Sequence, residues 1–165
     1  DTYTFYENSA PEDVIKKILQ NTQKKLVGKY SHPDMTLDEI VTLASLIEKE
    51  GGGNPAESGK ISSVLHNRLK KGQPLQLDAP IYYLENDMGD ADTQKYKIWY
   101  NTYNYQNREV KYDCPGLPAG AICSPSAASL KAAANPENIF ILEATAAKII
   151  FMPLPLMNLK PKERN

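Results

Sequence analysis

The sequence feature that most constrains the fold is a helix whose start and end are both marked. Thr36 and Glu39 form a capping-box pattern, in which each side chain can satisfy a backbone N–H of the first turn. Leu43 and Ile47 then recur at helical spacing, and the glycine run 51–53 predicts the end of the helix. Because an apolar stripe of this length must be covered, the sequence predicts a helix that packs against a core.

Three further helices are predicted from capping residues and from prolines in the first turn. Ser9 precedes Pro11, Asn54 precedes Pro55, and the run 124–126 (Ser-Pro-Ser) precedes another apolar stretch. Each pattern places a side-chain acceptor just before a residue that is suited to begin a helix. The sequence is therefore dominated by predicted helices.

The spacing of the apolar residues changes in residues 75–81, where they alternate with polar residues, which predicts a short β-strand or an extended segment. A second strand is predicted at 139–142, and the polar, turn-rich residues 84–115 predict a long ordered loop or flap over a site. These elements predict an α+β fold, a helix-dominated single domain with a small β-sheet. We place this domain at residues 1–142 and a divergent tail at 143–165.

Composition narrows the classes of function. The 165 residues are about one domain, and a net charge of −1 argues against a nucleic-acid-binding protein, which usually carries a basic surface. No apolar run is long enough to cross a bilayer. The chain starts at Asp1 without an initiator Met, so we interpret it as a fragment whose parent protein can carry an anchor elsewhere. Cys114 and Cys123 match no metal-site spacing, and no metal or cofactor is predicted.

The residues that remain for chemistry are carboxylates, amides and tyrosines. The sequence contains no serine-nucleophile elbow, phosphate-binding loop or zinc-protease motif. His32 and His66 are far apart in sequence and are interpreted as surface or capping residues. Tyrosines are concentrated in residues 82–112, which suits either a carbohydrate groove or a half-buried surface. This inventory favours chemistry on sugars, where Glu or Asp transfers the proton.

Two glutamates end the predicted central helix. Glu50 continues the apolar face of Leu43 and Ile47, and it lies at the negative end of the helix dipole. Both conditions should raise its pKa, as a general acid requires. A solvated last helical turn is the alternative interpretation, and Glu48 is the alternative acid.

Five motifs, in order and at characteristic spacing, carry a resemblance to a known family. They are "TLASLIEKE" at 42–50, "VLHNRL" at 64–69, "PLQLDAPIYY" at 74–83, "YNTY" at 100–103 and "GLPAGAICSP" at 116–125. Together they resemble the MltG/YceG-like endolytic murein transglycosylases, over residues 1–142. The resemblance implies a lyase that cuts peptidoglycan glycan strands between N-acetylmuramic acid and N-acetylglucosamine and leaves 1,6-anhydro ends.

The resemblance also implies roles for individual residues and for the parent protein. Glu50 matches the family's catalytic glutamate, with Glu48 as the second choice. Residues at matched polar positions are expected to bind the saccharide: Asn67, Gln76, Asp78, Asn101 and Tyr103. The parent protein is expected to be anchored in the cell membrane with its catalytic domain extracytoplasmic, and to work beside a penicillin-binding protein synthase. Nucleic acid, metal and cofactor are not expected.

Two other functions remain open from the sequence. One is a non-catalytic peptidoglycan-binding module, against which the presence of both Glu48 and Glu50 argues. The other is an aminodeoxychorismate lyase, a name this family has sometimes carried. That class needs a Schiff-base lysine and a phosphate cup for pyridoxal phosphate, and no such constellation is recognisable.

Two departures from the family pattern lead to separate expectations. Cys114 and Cys123 flank a short loop, and an extracytoplasmic domain would allow a disulfide between them. Closing this loop would stabilise the fold by roughly 2–3 kcal/mol. In the tail, residues 143–165 lack the final strands of the family, and we interpret them as the product of a frameshift near residue 142.

Overall fold

The computed structural model describes residues 2–51, 54–87, 93–103 and 116–137. In chain order its elements are α1 (Pro11–Leu26), α2 (Leu37–Glu50), α3 (Pro55–Lys70), α4 (Ala79–Tyr82), a π-helical turn (Tyr83–Asp87), α5 (Thr93–Tyr100) and α6 (Ala127–Ala134). The predicted second strand (139–142), the tail (143–165) and Cys114 lie outside the described residues. Cys123 carries a free thiol whose Sγ is 3.5 Å from the Ser45 carbonyl oxygen, so the structure does not support the disulfide predicted between Cys114 and Cys123.

The predicted α+β class is wrong for the part of the chain that the structure describes. That part is helical, and its β structure is limited to an isolated bridge between His32 and Met35. Leu77 is buried and Gln76 exposed, as the alternation predicted. However, the Leu77 backbone pairs with the side chain of Thr102 instead of a neighbouring strand, and Gln76 has a left-handed φ of 53°. The extended segment therefore stays single and leads directly into α4.

The prediction of one long loop over residues 84–115 also needs correction. The π-helical turn covers its first residues, and α5 covers Thr93–Tyr100. Aromatic side chains of α5 contact each other and the π-helical turn. Within α5, Tyr96 meets Trp99 edge to face, and Tyr100 of α5 lies against Tyr83 of the turn. Local aromatic packing thus supports a helix where the polar composition suggested none.

The predicted central helix is confirmed as α2, and the rest of the fold packs around it. Its capping box is complete: the Thr36 N–H donates to the Glu39 carboxylate (2.7 Å) and the Glu39 N–H donates to the Thr36 hydroxyl (3.3 Å). An unbroken series of its residues is buried, from Thr42 to Ile47. The helix packs against α3, α4 and α6, and its last residue is Glu50. The core therefore holds α2 on several sides and fixes where its C-terminus lies.

Two of the three other predicted caps are confirmed. The Asn54 side chain caps α3, and the Ser126 side chain caps α6. For α1 the prediction was wrong, since Ala10 is the N-cap residue and the Ser9 hydroxyl accepts from the Tyr6 N–H instead. Helix α1 also buries none of its residues, so its apolar stripe faces solvent in the described structure.

Helices α3 and α6 are joined by side chains that bond to the last carbonyls of α6. The Ser62 hydroxyl donates to the Ala132 oxygen (2.6 Å), and His66 Nε2 lies 2.8 Å from the Ala133 oxygen. The His66 ring also stacks near His32, with 5.0 Å between ring centroids. Desolvation, the larger cause, together with the charge of His32 lowers the pKa of His66. The hydrogen bond to α6 thus gives His66 a structural role, and the ring contact brings His32, from the connection before α2, next to it.

A buried hydroxyl on α2 gives a first prediction. Thr42 is 0% exposed, and none of the described residues offers a hydrogen bond to its Oγ1. Valine has the same shape without the polar atom, so Thr42→Val should raise the free energy of unfolding by about 1 kcal/mol. Denaturant titration of both proteins measures this difference. A clear loss of stability would show that the hydroxyl has a partner that compensates for its burial.

Candidate active site

The two glutamates at the end of α2 have different surroundings. Glu48 faces the start of α6, where one of its oxygens, Oε2, accepts from the Ser126 N–H (3.1 Å), the Ser126 hydroxyl (2.6 Å) and the Ser129 hydroxyl (2.6 Å). Ser45, one turn earlier on the same side, accepts from the Ile122 N–H (3.0 Å). This side of α2 is therefore bonded to residues 122–129.

These hydrogen bonds determine the charge of Glu48. The Ser126 hydroxyl first, and then the Ser129 hydroxyl, hold the pKa of Glu48 below its usual value of 4.5. Hydrogen bonds to a carboxylate favour its ionised form. Glu48 is thus an anion that anchors the N-terminus of α6, where the helix dipole also favours negative charge. A group held in its ionised form is poorly suited to donate a proton.

The lowered pKa predicts how Glu48 affects stability with pH. A carboxylate whose pKa is lower in the folded state stabilises the fold above its unfolded pKa, and this contribution disappears as pH falls through the folded pKa. At pH 7, Glu48→Gln should lower the free energy of unfolding by about 1–2 kcal/mol. This is the lower part of the range for charged hydrogen bonds, because the carboxylate keeps some contact with solvent. The difference in stability between the wild type and Glu48→Gln should disappear well below pH 4.5. Thermal unfolding at several pH values measures this difference, and a difference independent of pH would contradict the assignment.

Glu50 has the opposite tendency. Glu50 is exposed as a residue, but protein atoms around its carboxyl group reduce the hydration of that group. This desolvation, followed by the negative charge of Asp78, raises the pKa of Glu50 above its usual value of 4.5. Both effects disfavour the anion. Of the two glutamates, Glu50 is the one whose surroundings favour a proton that can be transferred.

Asp78 and Tyr103 lie within electrostatic range of Glu50. The Tyr103 hydroxyl donates to Asp78 Oδ1 at 2.6 Å, and the Tyr103 N–H donates to Asn101 Oδ1 at 2.9 Å. The hydrogen bond to Asp78 is the first cause of a raised pKa of Tyr103, and the charges of Asp78 and Glu50 contribute too. We refer to Glu50, Asp78 and Tyr103 as the Glu50 site. Tertiary packing thus brings together three of the residues singled out in the sequence, with Asn101 next to them.

The other two predicted saccharide-binding residues lie on neighbouring segments. Gln76 is exposed on the segment that precedes Asp78, and Asn67 is exposed near the end of α3. Their contact with a saccharide stays a prediction.

Sequence reasoning missed several residues around the site. Thr102 is completely buried and bonded to Leu77, while Ser126 and Ser129 hold Glu48. Tyr82, on α4, is 59% exposed and interacts with Tyr103. The Ser126 cap was visible as a helix start, but nothing in the sequence indicated that its hydroxyl would bond to Glu48.

A comparison with known families identifies the family of this chain. The sequence profile of the YceG-like family matches residues 1–148, which include every residue of the Glu50 site. The chain belongs to the YceG-like family. In this YceG-like chain the family match extends slightly beyond the predicted domain end at residue 142.

Similar proteins carry a consistent name. The chain is 29% identical over 157 residues to an endolytic murein transglycosylase of Streptococcus pneumoniae serotype 2, covering 91% of this chain and 28% of that protein. It is 28% identical over 170 residues to an endolytic murein transglycosylase of Bacillus subtilis, covering 99% of this chain and 45% of that protein. The YceG-like chain therefore spans less than half the length of these curated relatives.

A solved structure supports the fold. A YceG-like protein of Listeria monocytogenes superposes with a TM-score of 0.62 at 28% identity, covering 98% of this chain and 52% of that chain. Among the described helices of the YceG-like chain, none combines the length and apolar character that a membrane crossing needs.

Proposed function

We propose that the chain is the catalytic part of an endolytic peptidoglycan transglycosylase, with Glu50 as its acid and base. The observation that carries this proposal is the contrast at the end of α2, where hydrogen bonds from Ser126 and Ser129 lower the pKa of Glu48 while desolvation and Asp78 raise the pKa of Glu50. The family membership and the names of the relatives support the substrate class.

The reaction needs a single carboxyl group that acts twice. In the first step Glu50 donates its proton to the glycosidic oxygen, and the bond between this oxygen and C1 of N-acetylmuramic acid breaks. In the second step the C6 hydroxyl oxygen of the same sugar bonds to C1, and its proton passes to the Glu50 carboxylate. The acid is thereby restored, no water is consumed, and the product end is a 1,6-anhydro sugar.

Asp78 has an electrostatic role in this proposal. Positive charge develops at C1 in the transition state of glycosidic cleavage, and a nearby carboxylate stabilises such charge. The same negative charge raises the pKa of Glu50 before the proton is transferred. Asp78 therefore favours both the starting protonation state and the transition state.

Exposed rings and amides beside the Glu50 site are suited to hold the glycan. Tyr103 is 46% exposed and Tyr82 is 59% exposed, so the ring of each can stack on a sugar. Asn67, Gln76 and Asn101 can bond to hydroxyl and acetamido groups of the same glycan. We assign to the whole parent protein a membrane anchor, an extracytoplasmic catalytic domain and a penicillin-binding protein synthase as partner.

A product analysis tests the proposal. Purified glycan strands are incubated with the protein, and the new ends are identified by mass spectrometry. Anhydromuramic ends, one water lighter than reducing ends, are expected at internal positions of the strand. Reducing ends would show that water is the nucleophile and that the protein is a hydrolase. Uncut but bound strands would favour the non-catalytic binding module.

A further inference from the structure

Thr102 lies between two segments that both contribute to the Glu50 site. It is 0% exposed, and its hydroxyl makes two hydrogen bonds to a single residue: it accepts from the Leu77 N–H (2.9 Å) and donates to the Leu77 oxygen (2.8 Å). These bonds satisfy the backbone N–H and C=O of a buried residue that pairs with no strand in the described part of the chain. In this position a threonine side chain replaces a neighbouring backbone.

A third hydrogen bond strengthens the connection. The Gln76 N–H donates to the Thr102 carbonyl oxygen at 3.0 Å, although Gln76 has a left-handed φ of 53°. Residues other than glycine adopt this conformation at a free-energy cost, and they keep it only where surrounding contacts impose it. The bonds from Thr102 to Gln76 and Leu77 are contacts of this kind. They fix the course of the chain immediately before Asp78.

Asp78 follows Leu77, and Tyr103 follows Thr102, so each residue is directly attached to one side of this connection. The hydrogen bond from the Tyr103 hydroxyl to Asp78 closes the arrangement on the exposed side. Of the two side chains, Asp78 bears the negative charge that acts on Glu50, and Tyr103 is a neutral phenol bonded to Asp78. Their distance to Glu50 therefore depends on how firmly residues 76–77 are held to Thr102.

We propose that Thr102 is a positioning residue of the transglycosylase, whose buried hydroxyl fixes Leu77 and thereby holds the bonded pair Asp78 and Tyr103 at its place near Glu50. This inference rests on the proposed function of the Glu50 site. Thr102 touches no reacting atom, so its effect on catalysis is transmitted through Asp78. Without the hydroxyl, the segment before Asp78 can relax away from its left-handed conformation and carry the carboxylate away from Glu50.

The test uses Thr102→Val, which keeps the shape and removes the hydroxyl, and Thr102→Ser, which keeps the hydroxyl. Thr42→Val is the matched control, because it is the same substitution at an equally buried site outside the Glu50 site. In Thr102→Val, kcat for anhydro-end formation should fall about tenfold or more, as small displacements of reacting groups do. KM should change less, and Thr102→Ser should restore most of kcat.

A second readout needs no substrate. The pKa of Glu50 is followed by NMR titration of isotope-labelled glutamate carboxyl groups in the complete chain. If Asp78 moves away, the pKa of Glu50 should fall toward its usual value in Thr102→Val and stay raised in Thr102→Ser and Thr42→Val. Should Thr102→Val fail to fold, Thr102→Ala removes the hydroxyl without any steric demand and gives the same comparison.

The outcomes separate this inference from the proposed function. If Thr102→Val only lowers thermal stability, with kcat and the Glu50 pKa matching the control, the positioning role is overturned. If the wild-type chain forms no anhydro ends but Thr102→Val still lowers the Glu50 pKa, the proposed reaction fails while the effect of Thr102 on Glu50 is supported.

Discussion

Glu50→Gln is expected to lower the rate of glycan cleavage by at least about 100-fold, the usual contribution of a general acid. Glutamine keeps the shape of glutamate but has no proton to transfer. Binding of the glycan should survive, because the neighbouring rings and amides are unchanged. The fold should be no less stable at pH 7, since the substitution removes repulsion between Glu50 and Asp78. Product analysis, strand binding and thermal unfolding measure these three quantities.

Glu48→Gln is the matched control for this experiment. It should lower stability through the loss of its charged hydrogen bonds to α6, while a protein that is still folded cleaves at a rate much closer to that of the wild type. Activity of the wild type should also fall as pH rises through the raised pKa of Glu50, because the acid must start protonated. If Glu48→Gln abolishes cleavage and Glu50→Gln does not, the catalytic assignment is reversed. If neither substitution lowers the rate of cleavage, the proposed mechanism is wrong.

Leu46→Ala is expected to lower the free energy of unfolding by about 2–5 kcal/mol, the range for truncating a buried leucine. Leu46 is 0% exposed and belongs to the core around α2. Its loss removes apolar contacts and leaves a cavity that the surrounding helices fill only in part. Denaturant titration gives the value directly. Since α2 also carries Glu48 and Glu50, this core is what holds both carboxylates in place.

Leu19→Ala on α1 is the control for the core substitution. Leu19 is also in a helix but is 61% exposed, so its truncation should change stability by no more than about 0.5 kcal/mol. Equal losses for the two leucines would show that the α1 face is covered in the complete protein. A small loss for Leu46→Ala would contradict the placement of α2 in the core.

Features that depend on residues close in sequence could be predicted. The capping box of α2 joins residues three positions apart, and the cap of α3 joins residues two apart, so sequence spacing alone indicates both. The five motifs also indicated the family, because their order is itself a property of the sequence. The failed cap at Ser9 shows the limit of such local patterns, since a nearby backbone N–H competed for its hydroxyl.

Features that depend on residues far apart in sequence were decided by the tertiary structure. The alternation at 75–77 predicted which side chains are buried. A β-strand also needs a neighbouring strand as its partner, and here the Leu77 backbone bonds to the side chain of Thr102 instead. The two glutamates at the end of α2 look alike in sequence. They differ because Ser126 and Ser129 bond to Glu48, while desolvation and Asp78 act on Glu50. A pKa is set by the groups around a carboxyl in space, and packing alone brings those groups together.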